Sequence, residues 1–500
     1  MLPSPRKGRS PAEPAGRRRG SARAAVLGNR LFAALVAVGV VLRVVAMLGY
    51  PPALWFNDGY DYVRIADDPF PHPLRQVGYG FFLWVLKPFH SLALVTGLQH
   101  LMVVALAVVA YRVLIRDFGV RRPWAAVALA PVLLDGYQIE LEHMVLSDTL
   151  FTALVFAGVL LLARPGPAAG WRRAALIGGL LGLAALTRTV GMPLIGIAVL
   201  YLLVRRARWT AQVALVAAFA LPLVAYGAWF HGVQGRFGIT GPGGVFLWGR
   251  TAAFADCDRF APPPDIARLC PFGAPDDRPA SSHQIWEDNS PTGWKNGQAF
   301  SPKTDDDARR FAMWAIANQP LDYARVVSYD FFVRTFSWNR EAYPTPGTEA
   351  KYRFPKRPDR MRPLPVIGGG DRLSVVREYE HGSGRTEVVE PFAGAIRGYQ
   401  RHVSVPGTVL GAVLLVGAAG VLRRRARPGT VPLWLTAVVL LAVPPVTADF
   451  DYRYMLPAVP FAWMAAVAAW AGRRHPDEAA PEPIPVRVPR QEPEAEPARA

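Results

Sequence analysis

The hydrophobic positions of this chain gather in long runs that are separated by short polar and basic stretches. A helix needs roughly 20 apolar residues to cross a bilayer, and most of the runs approach that length. We therefore expect an all-α polytopic membrane protein, a bundle of about ten transmembrane helices with an extracytoplasmic region of mixed and irregular structure. The predicted helices are 26–48, 94–115, 123–140, 145–163, 173–187, 189–204, 210–230, 405–422, 431–447 and 455–472.

Arginine residues cluster between the apolar runs and not on a single stretch of the chain. Clusters precede the first run, follow the second, fourth and sixth runs, and recur around the last runs. Positive charge beside a spanning helix marks the cytoplasmic side, so both termini are predicted to be cytoplasmic in a multi-pass protein of the plasma membrane. This topology accounts for the net charge of +18 without a nucleic-acid partner and leaves the lipid bilayer as the expected environment.

Two segments on the opposite, outer side are too long to be simple connectors, and long loops often carry function. The second one contains the amphipathic pattern 305–336, which predicts two helices divided near Pro320. The resulting predicted organisation is a disordered basic tail at 1–25, a transmembrane module at 26–230 with its first outer loop at 50–93, an extracytoplasmic region at 231–404, transmembrane helices at 405–472 and a disordered tail at 473–500.

The chain has two cysteines, Cys257 and Cys270, and both lie in the second outer segment. An extracytoplasmic location permits a disulfide. The alternative is a pair of unpaired thiols, because sequence separation alone does not establish bridging geometry.

Candidate chemistry begins at Asp58, which follows the first apolar run. Its carboxylate could accept a proton from a hydroxyl group, or it could cap the helix that begins nearby, together with Asn57. Asp61, Asp67 and Asp68 could supply oxygen ligands to a divalent metal. Acidic loop residues are more often solvated, so we favour that interpretation over a divalent metal, and the sequence establishes no cofactor.

Arginine is the preferred partner of a phosphate group, because its planar fork matches phosphate geometry and keeps its charge. The predicted topology puts Arg453, Arg188 and Arg75 at the outer boundary, and His72 lies in the same first outer loop. Arg43, inside the first apolar run, is a further candidate for the phosphate. The alternative is that it extends to the interface or forms a structural pair.

A short outer turn between the third and fourth runs is also rich in polar residues. Glu142 and His143 lie where the chain re-enters the bilayer, so they are candidates, with Asp61, for a second acid or an acceptor contact. Asp148 and Ser147 head the next apolar run and could cap it.

Four short motifs occur in order along the predicted membrane part, at 26–230 and 405–472: NDGYDY at 57–62, LSDTLFT at 146–152, LTRTVG at 186–191 and RYMLP at 453–457. Their order and placement resemble the membrane-embedded GT-C glycosyltransferases, in particular the protein O-mannosyltransferase and aminoarabinose-transferase type. Many relatives have Glu directly after the first-loop Asp, where this chain has Gly59, so a paired-carboxylate or metal-assisted version does not carry over.

The resemblance implies a polyprenyl-phosphate-linked sugar donor and a glycan, glycolipid or protein as acceptor. It implies that Asp58 deprotonates the acceptor hydroxyl, and that Arg453 and Arg188, with His72 or Arg75, hold the departing phosphate. A transporter or a lipid-linked-sugar flippase is the main alternative, although its polar site would be expected at mid-membrane between repeated halves. A membrane scaffold that presents the 231–404 segment is the other alternative.

Overall fold

The computed structural model describes residues 15–164, 169–278, 281–293, 297–338, 350–358, 360–423 and 427–471. Every regular element in these ranges is helical, and extended pairing there is limited to two isolated bridges, Leu54 with Met144 and Pro365 with Asp371. The all-α prediction is therefore confirmed for this part of the chain. Of the two predicted tails, 1–14 and 473–500 lie outside the described residues, and the backbone is helical from Ala15.

Ten helices come before the second outer segment, and short 3-10 turns follow some of them. They are α1 Ala15–Gly49, α2 Asn57–Asp67, α3 Val77–Leu86, α4 Leu92–Arg116, α5 Arg122–Leu134, α6 Gly136–His143, α7 Asp148–Ala163, α8 Trp171–Thr187, α9 Leu194–Val204 and α10 Trp209–Gln234.

Nine further helices lie in the described residues of the second half. They are α11 Gly243–Ala252, α12 Ser281–Trp286, α13 Pro302–Asn318, α14 Pro320–Ser328, α15 Arg372–Glu380, α16 Phe392–His402, α17 Gly407–Val421, α18 Thr430–Thr447 and α19 Val459–Trp470. A π-helical turn, Tyr329–Arg334, continues α14, and the 3-10 turns Tyr452–Tyr454 and Leu456–Ala458 precede α19.

Four helical stretches in the described residues are long and apolar enough to cross a membrane, which is fewer than the ten predicted. They are Leu27–Gly49, Leu92–Arg116, Trp209–Gln234 and Thr430–Thr447. A fifth span is obtained if α16 and α17, which meet at a bend of 54°, are taken together. The other apolar helices stand near the predicted positions but are shorter.

The predicted span at 123–140 shows why the helices are shorter. It is interrupted at Asp135, where α5 ends and α6 begins. The Asp135 carboxylate accepts hydrogen bonds from the backbone N–H groups of Tyr137 and Gln138, at 2.8 and 3.1 Å, and so caps α6. It also accepts one from the N–H of Val405, at 2.6 Å, which ties this corner to the approach to α17. Asp135, a polar residue inside an apolar run, therefore forms a boundary between two helices.

The main core joins the apolar helices to the first outer loop and to the C-terminal helices. Close backbone approach fixes one of its pairs, since a Cβ added at Gly178 of α8 would lie 2.1 Å from the carbonyl oxygen of Leu215 in α10. Only glycine fits there, and the two helices pack along much of their length.

A second, smaller core lies within residues 243–335. The sequence predicts that this part of the chain lies outside the membrane, and we call it the extramembrane unit after that prediction. Trp248 and Phe311 are buried at its centre, and Cys257 and Cys270 form a disulfide at its edge, with an S–S distance of 2.10 Å. The disulfide interpretation of these two cysteines therefore holds. The predicted helix break near Pro320 is also confirmed, because α13 ends at Asn318 and α14 begins at Pro320.

Candidate functional site

The Asp58 carboxylate lies between two guanidinium groups. Its Oδ1 is 2.9 Å from Nη2 of Arg75, and its Oδ2 is 3.4 Å from both terminal nitrogens of Arg453. Asp58 is in the first turn of α2, but the N-cap position is Phe56 and no side chain caps this helix. The capping alternative is therefore not observed, and the carboxylate faces cations contributed by two distant parts of the chain.

The first outer loop supplies a second carboxylate to the same cluster. Asp61 lies one turn after Asp58, and its Oδ2 is 2.9 Å from Nε of Arg75, so this arginine bridges both acids. The buried His72 ring accepts hydrogen bonds at Nδ1 from the N–H groups of Leu74 and Arg75, at 3.1 and 3.0 Å. Its Nε2 is 3.7 Å from Oδ1 of Asp61. His72 thus shapes the turn that delivers Arg75.

Arg453 reaches the cluster from the 3-10 turn before α19. Asp451 caps this turn, because its Oδ1 accepts a hydrogen bond of 3.0 Å from the Arg453 N–H. The Arg453 guanidinium lies over the rings of Phe56 and Tyr454, with its carbon 4.7 and 5.3 Å from their centroids. Tyr352, from the second outer segment, donates a hydrogen bond of 2.8 Å to Asp451. The arginine is therefore held by both ring stacking and charge.

Arg188 also lies beside the Tyr454 ring. It follows α8 directly, lies 5.2 Å from the Tyr454 ring centroid, and pairs with Oδ2 of Asp148 at 2.6 Å. No side-chain cap is formed at the start of α7, so the predicted capping by Ser147 and Asp148 is not observed. Asp148 belongs to the charged cluster because it pairs with Arg188. Arg188 and Arg453 thus both lie against the Tyr454 ring, and each has its own carboxylate partner.

Opposite charge keeps the loop acids ionised. Burial would raise the pKa of Asp58, but the guanidinium groups of Arg75 and Arg453 outweigh it and leave the pKa below its usual value. Burial also acts to raise the pKa of Asp61, but the nearby His72 ring and the charge of Arg75 bring that pKa below its usual value. Burial lowers the pKa of His72 in spite of Asp61, which favours the neutral imidazole.

The arginines are fixed as cations by the same interactions. Burial acts to lower the pKa of Arg75, but Asp58 and Asp61 raise it above its usual value. Arg453 has a raised pKa as well, because Tyr454, Asp451 and other acidic neighbours outweigh burial. Asp58, Asp61, Arg75 and Arg453 are therefore held as opposite charges in a partly buried place, where their interactions are stronger than in water.

Glu142 and His143 are not part of this cluster, although the sequence made both of them candidates. They belong to a separate buried network with Arg43 of α1 and His100 of α4. Arg43 forms two hydrogen bonds of 2.8 Å with the Glu142 carboxylate, which also contacts Nδ1 of His100 at 2.8 Å. His100 Nε2 lies 3.2 Å from Nδ1 of His143. Arg43 thus forms a structural pair and does not extend to the interface.

The three acids considered for a metal site point to different cations. Asp61 pairs with Arg75 as described, Asp67 lies 3.2 Å from Nζ of Lys87, and Asp68 lies 3.5 Å from Arg64. No group of three or more metal-ligating side chains was found among the described residues. The sequence patterns did not indicate that Asp451, Tyr352 and Asp148 belong to the cluster. The spacing DFDYR at 449–453 could have indicated Asp451, because it places an acid two residues before the key arginine.

The fold and the site together define a helical protein with apolar helices that could span a membrane and with a cluster of carboxylates and arginines near the ends of α1 and α18. Comparison of the chain with protein families, with curated proteins and with solved structures found no match.

Proposed function

We propose that this chain is a glycosyltransferase of the plasma membrane that moves a sugar from a polyprenyl-phosphate donor to a hydroxyl group of an extracytoplasmic acceptor. The observation that carries the proposal is the placement of Asp58 between Arg75 and Arg453, near the ends of two apolar helices. An ionised acid beside cations suits a reaction in which a hydroxyl loses a proton while a phosphate group leaves. The acceptor is a glycan, a glycolipid or a protein.

In this proposal the shorter apolar helices pack with the long ones into a GT-C-like bundle, with both termini in the cytoplasm and the cluster on the outer side. The motif order in the sequence supports this arrangement, and so does the contact between the first outer loop and the entry to α19, which the chain separates by 395 positions. The polyprenyl chain stays in the bilayer while its phosphate reaches the arginines.

Donor binding exchanges partners within the cluster. Arg453 contacts Asp58 at 3.4 Å, a long separation for a charged hydrogen bond, so an incoming phosphate can compete for this guanidinium. As Arg453 turns to the phosphate, one positive neighbour of Asp58 is lost and the carboxylate becomes a stronger base. Arg188 lies against the same Tyr454 ring as Arg453, where it adds positive charge to the phosphate site.

The transfer step follows from this exchange. Asp58 takes the proton of the acceptor hydroxyl, whose oxygen forms a bond to the anomeric carbon. The bond from that carbon to the phosphate oxygen breaks on the opposite face, and its electron pair leaves with polyprenyl phosphate. Configuration at the anomeric carbon is inverted. Arg453 and Arg188 stabilise the charge on the leaving phosphate, a preorganised contribution that is large in a shielded site.

The direct test replaces Asp58 and measures sugar transfer. Purified protein in lipid nanodiscs is given polyprenyl-phosphate donors that carry labelled hexoses or pentoses, together with a membrane extract as the source of acceptors. Asp58→Asn should reduce turnover by roughly 100-fold or more, because general-base assistance is lost. Asp68→Asn is the matched control, since Asp68 follows the same helix, is 76% exposed and contacts only Arg64 in the described residues.

Equal turnover by Asp58→Asn and the control would reject Asp58 as the base. Movement of the intact labelled donor from one leaflet to the other, with no cleavage of the bond between sugar and phosphate, would instead support a flippase or transporter.

A further inference from the structure

An apolar stripe is exposed on the segment formed by α14 and the π-helical turn. Leu321 is 82% exposed and Phe332 is 64% exposed, and Tyr329 and Val333 are also exposed. These residues follow one another at helical spacing, and the exposed Arg325 lies on the same face. We call Leu321, Arg325, Tyr329, Phe332 and Val333 the surface stripe.

The segment and the residues just after it are bound to apolar helices of the main bundle. The Tyr323 hydroxyl donates a hydrogen bond of 2.9 Å to the carbonyl of Val446, in the last turn of α18. The Thr408 hydroxyl, in the first turn of α17, donates one of 2.8 Å to the carbonyl of Phe336. The segment therefore lies across the end of α18 and the start of α17.

These helix ends are on the same side as the charged cluster. Residues 449–453 follow α18 directly and carry Arg453. The Tyr452 hydroxyl donates a hydrogen bond of 3.2 Å to the carbonyl of Val405, just before α17. A bilayer around α18 would thus have its boundary at the level of the segment and of the cluster.

The segment is also fixed on its inner side, so the stripe has a defined direction. Phe331 and Phe336 pack against the main core. Asp330 is fully buried and pairs with Arg250 of α11 and, at 2.7 Å, with Arg334. With these residues turned inward, the residues of the stripe face outward. Val446, which neighbours the segment on α18, is exposed too, so the apolar surface continues from the segment onto a candidate span.

We infer that the surface stripe rests in the lipid headgroup layer on the side of the charged cluster, and that its partner is the phospholipid surface. Aromatic and aliphatic residues with an arginine on one helical face are typical of segments that lie in the membrane interface. The stripe holds the extramembrane unit down on the bilayer. The inference uses only the membrane embedding that the proposed function assumes, and not the transfer chemistry.

The experiment places a fluorophore on the stripe of the full-length protein in phospholipid nanodiscs. The two native cysteines are joined to each other, so a single introduced cysteine is the one thiol open to labelling. A bimane label goes on Phe332→Cys, with Leu321→Cys as a second position. Phe272→Cys is the matched control, because Phe272 is 66% exposed on the same extramembrane unit. Val41→Cys, exposed within the span Leu27–Gly49, reports embedding.

Nitroxide lipids with the label at headgroup level should reduce emission at the two stripe positions by roughly twofold or more, because an interfacial helix buries its apolar face only 5–10 Å deep. Emission at Phe272→Cys should not change. If both stripe positions behave like Phe272→Cys while Val41→Cys is quenched by a deep nitroxide, the protein is embedded and the stripe does not touch lipid, which overturns the inference. Absence of quenching at Val41→Cys would instead contradict the embedding itself.

Discussion

A carboxylate held between two guanidinium groups is ionised over a wide pH range, yet it is a weak base while both cations remain in place. Asp58 is in this state. Burial alone would raise its pKa, and the two arginines produce the net lowering. In the proposed reaction, the basicity of Asp58 therefore depends on which cations are close to it at each stage. This dependence can be tested by removing the cations one at a time.

Removing Arg75 should change the pH dependence of turnover. In Arg75→Gln, burial still acts to raise the pKa of Asp58 while one opposing cation is lost, so the pKa should rise. Because Asp58 must be ionised to act, the acid limb of kcat/KM should move to higher pH, by roughly 1 to 3 pH units. Arg64→Gln is the control, since Arg64 is on the same helix but pairs with Asp68. An acid limb that stays in place in Arg75→Gln would contradict the assigned role of Asp58.

Arg453 should matter for donor use more than for stability. Arg453→Ala should raise the KM for the donor by roughly 10- to 100-fold, which corresponds to about 1.5–3 kcal/mol for a hydrogen bond to a charged group. The donor KM of Arg453→Lys should lie between those of the native protein and Arg453→Ala, because lysine keeps the positive charge but not the planar donor geometry of the guanidinium. Donor kinetics and thermal unfolding are measured on the same preparations. Parallel losses of activity and thermal stability with unchanged donor affinity would indicate a structural role.

At the scale of elements, the Arg43 and Glu142 pair joins α1 to α6 inside the bundle. Both side chains are almost fully buried, and the guanidinium also donates to the carbonyl of Leu133, at 2.8 Å. A charged group at such a place is costly unless it is paired, so this network explains how a charge can lie in the first span.

Glu142→Gln should therefore destabilise the fold. The substitution leaves the buried guanidinium without its counter-charge, which typically costs roughly 3–5 kcal/mol in the free energy of unfolding. Glu378→Gln, at an exposed position on α15, is the control and should have little effect. Unfolding in detergent micelles by heat or denaturant measures the difference. A Glu142→Gln protein as stable as the control would show that the pair contributes little.

The helices also show what a sequence pattern can predict. The break at Pro320 was predicted because proline is tolerated in the first turn of a helix but disrupts a helix interior. The structure agrees with this local rule, since α14 begins at Pro320. The predicted number of about ten long spans was too high. Hydropathy does not show where a buried polar group finds hydrogen-bond partners, and such a group can end a helix inside an apolar run. Asp135 has three backbone donors from two parts of the chain, and one of them comes from Val405. That partner is remote in sequence, so the break could not be foreseen.

At the scale of the whole molecule, the predicted site residues also differ in whether their partners, which are remote in sequence, bring them into the cluster. Residue type and predicted topology indicated four candidates, and the fold brings them into one cluster. They are Asp58, Arg75, Arg188 and Arg453. Glu142 was indicated for the same reasons, but its partners Arg43 and His100 take it into a separate network. Topology gives the level of a residue along the bundle and not its direction around a helix axis.

We expect the stability of the extramembrane unit to depend on its disulfide. Cys257→Ser should lower the stability of this unit by roughly 3 kcal/mol, because a short crosslinked loop regains its freedom in the unfolded state. Hydrogen exchange in 243–335 should increase while exchange in α4 and α10 stays constant. Limited proteolysis gives a second readout of the same change. Uniform exchange across the molecule after the substitution would mean that the two cores unfold together.

The hydrogen bond from Tyr352 to Asp451 has a consequence for engineering. Tyr352 belongs to the large outer segment, whereas Asp451 orients the turn that presents Arg453. A hybrid protein that received its outer segment from another source would lose this link, unless the donor segment offered a hydroxyl at the same point. The outer segment and the turn that carries Arg453 would therefore have to be exchanged together in any hybrid.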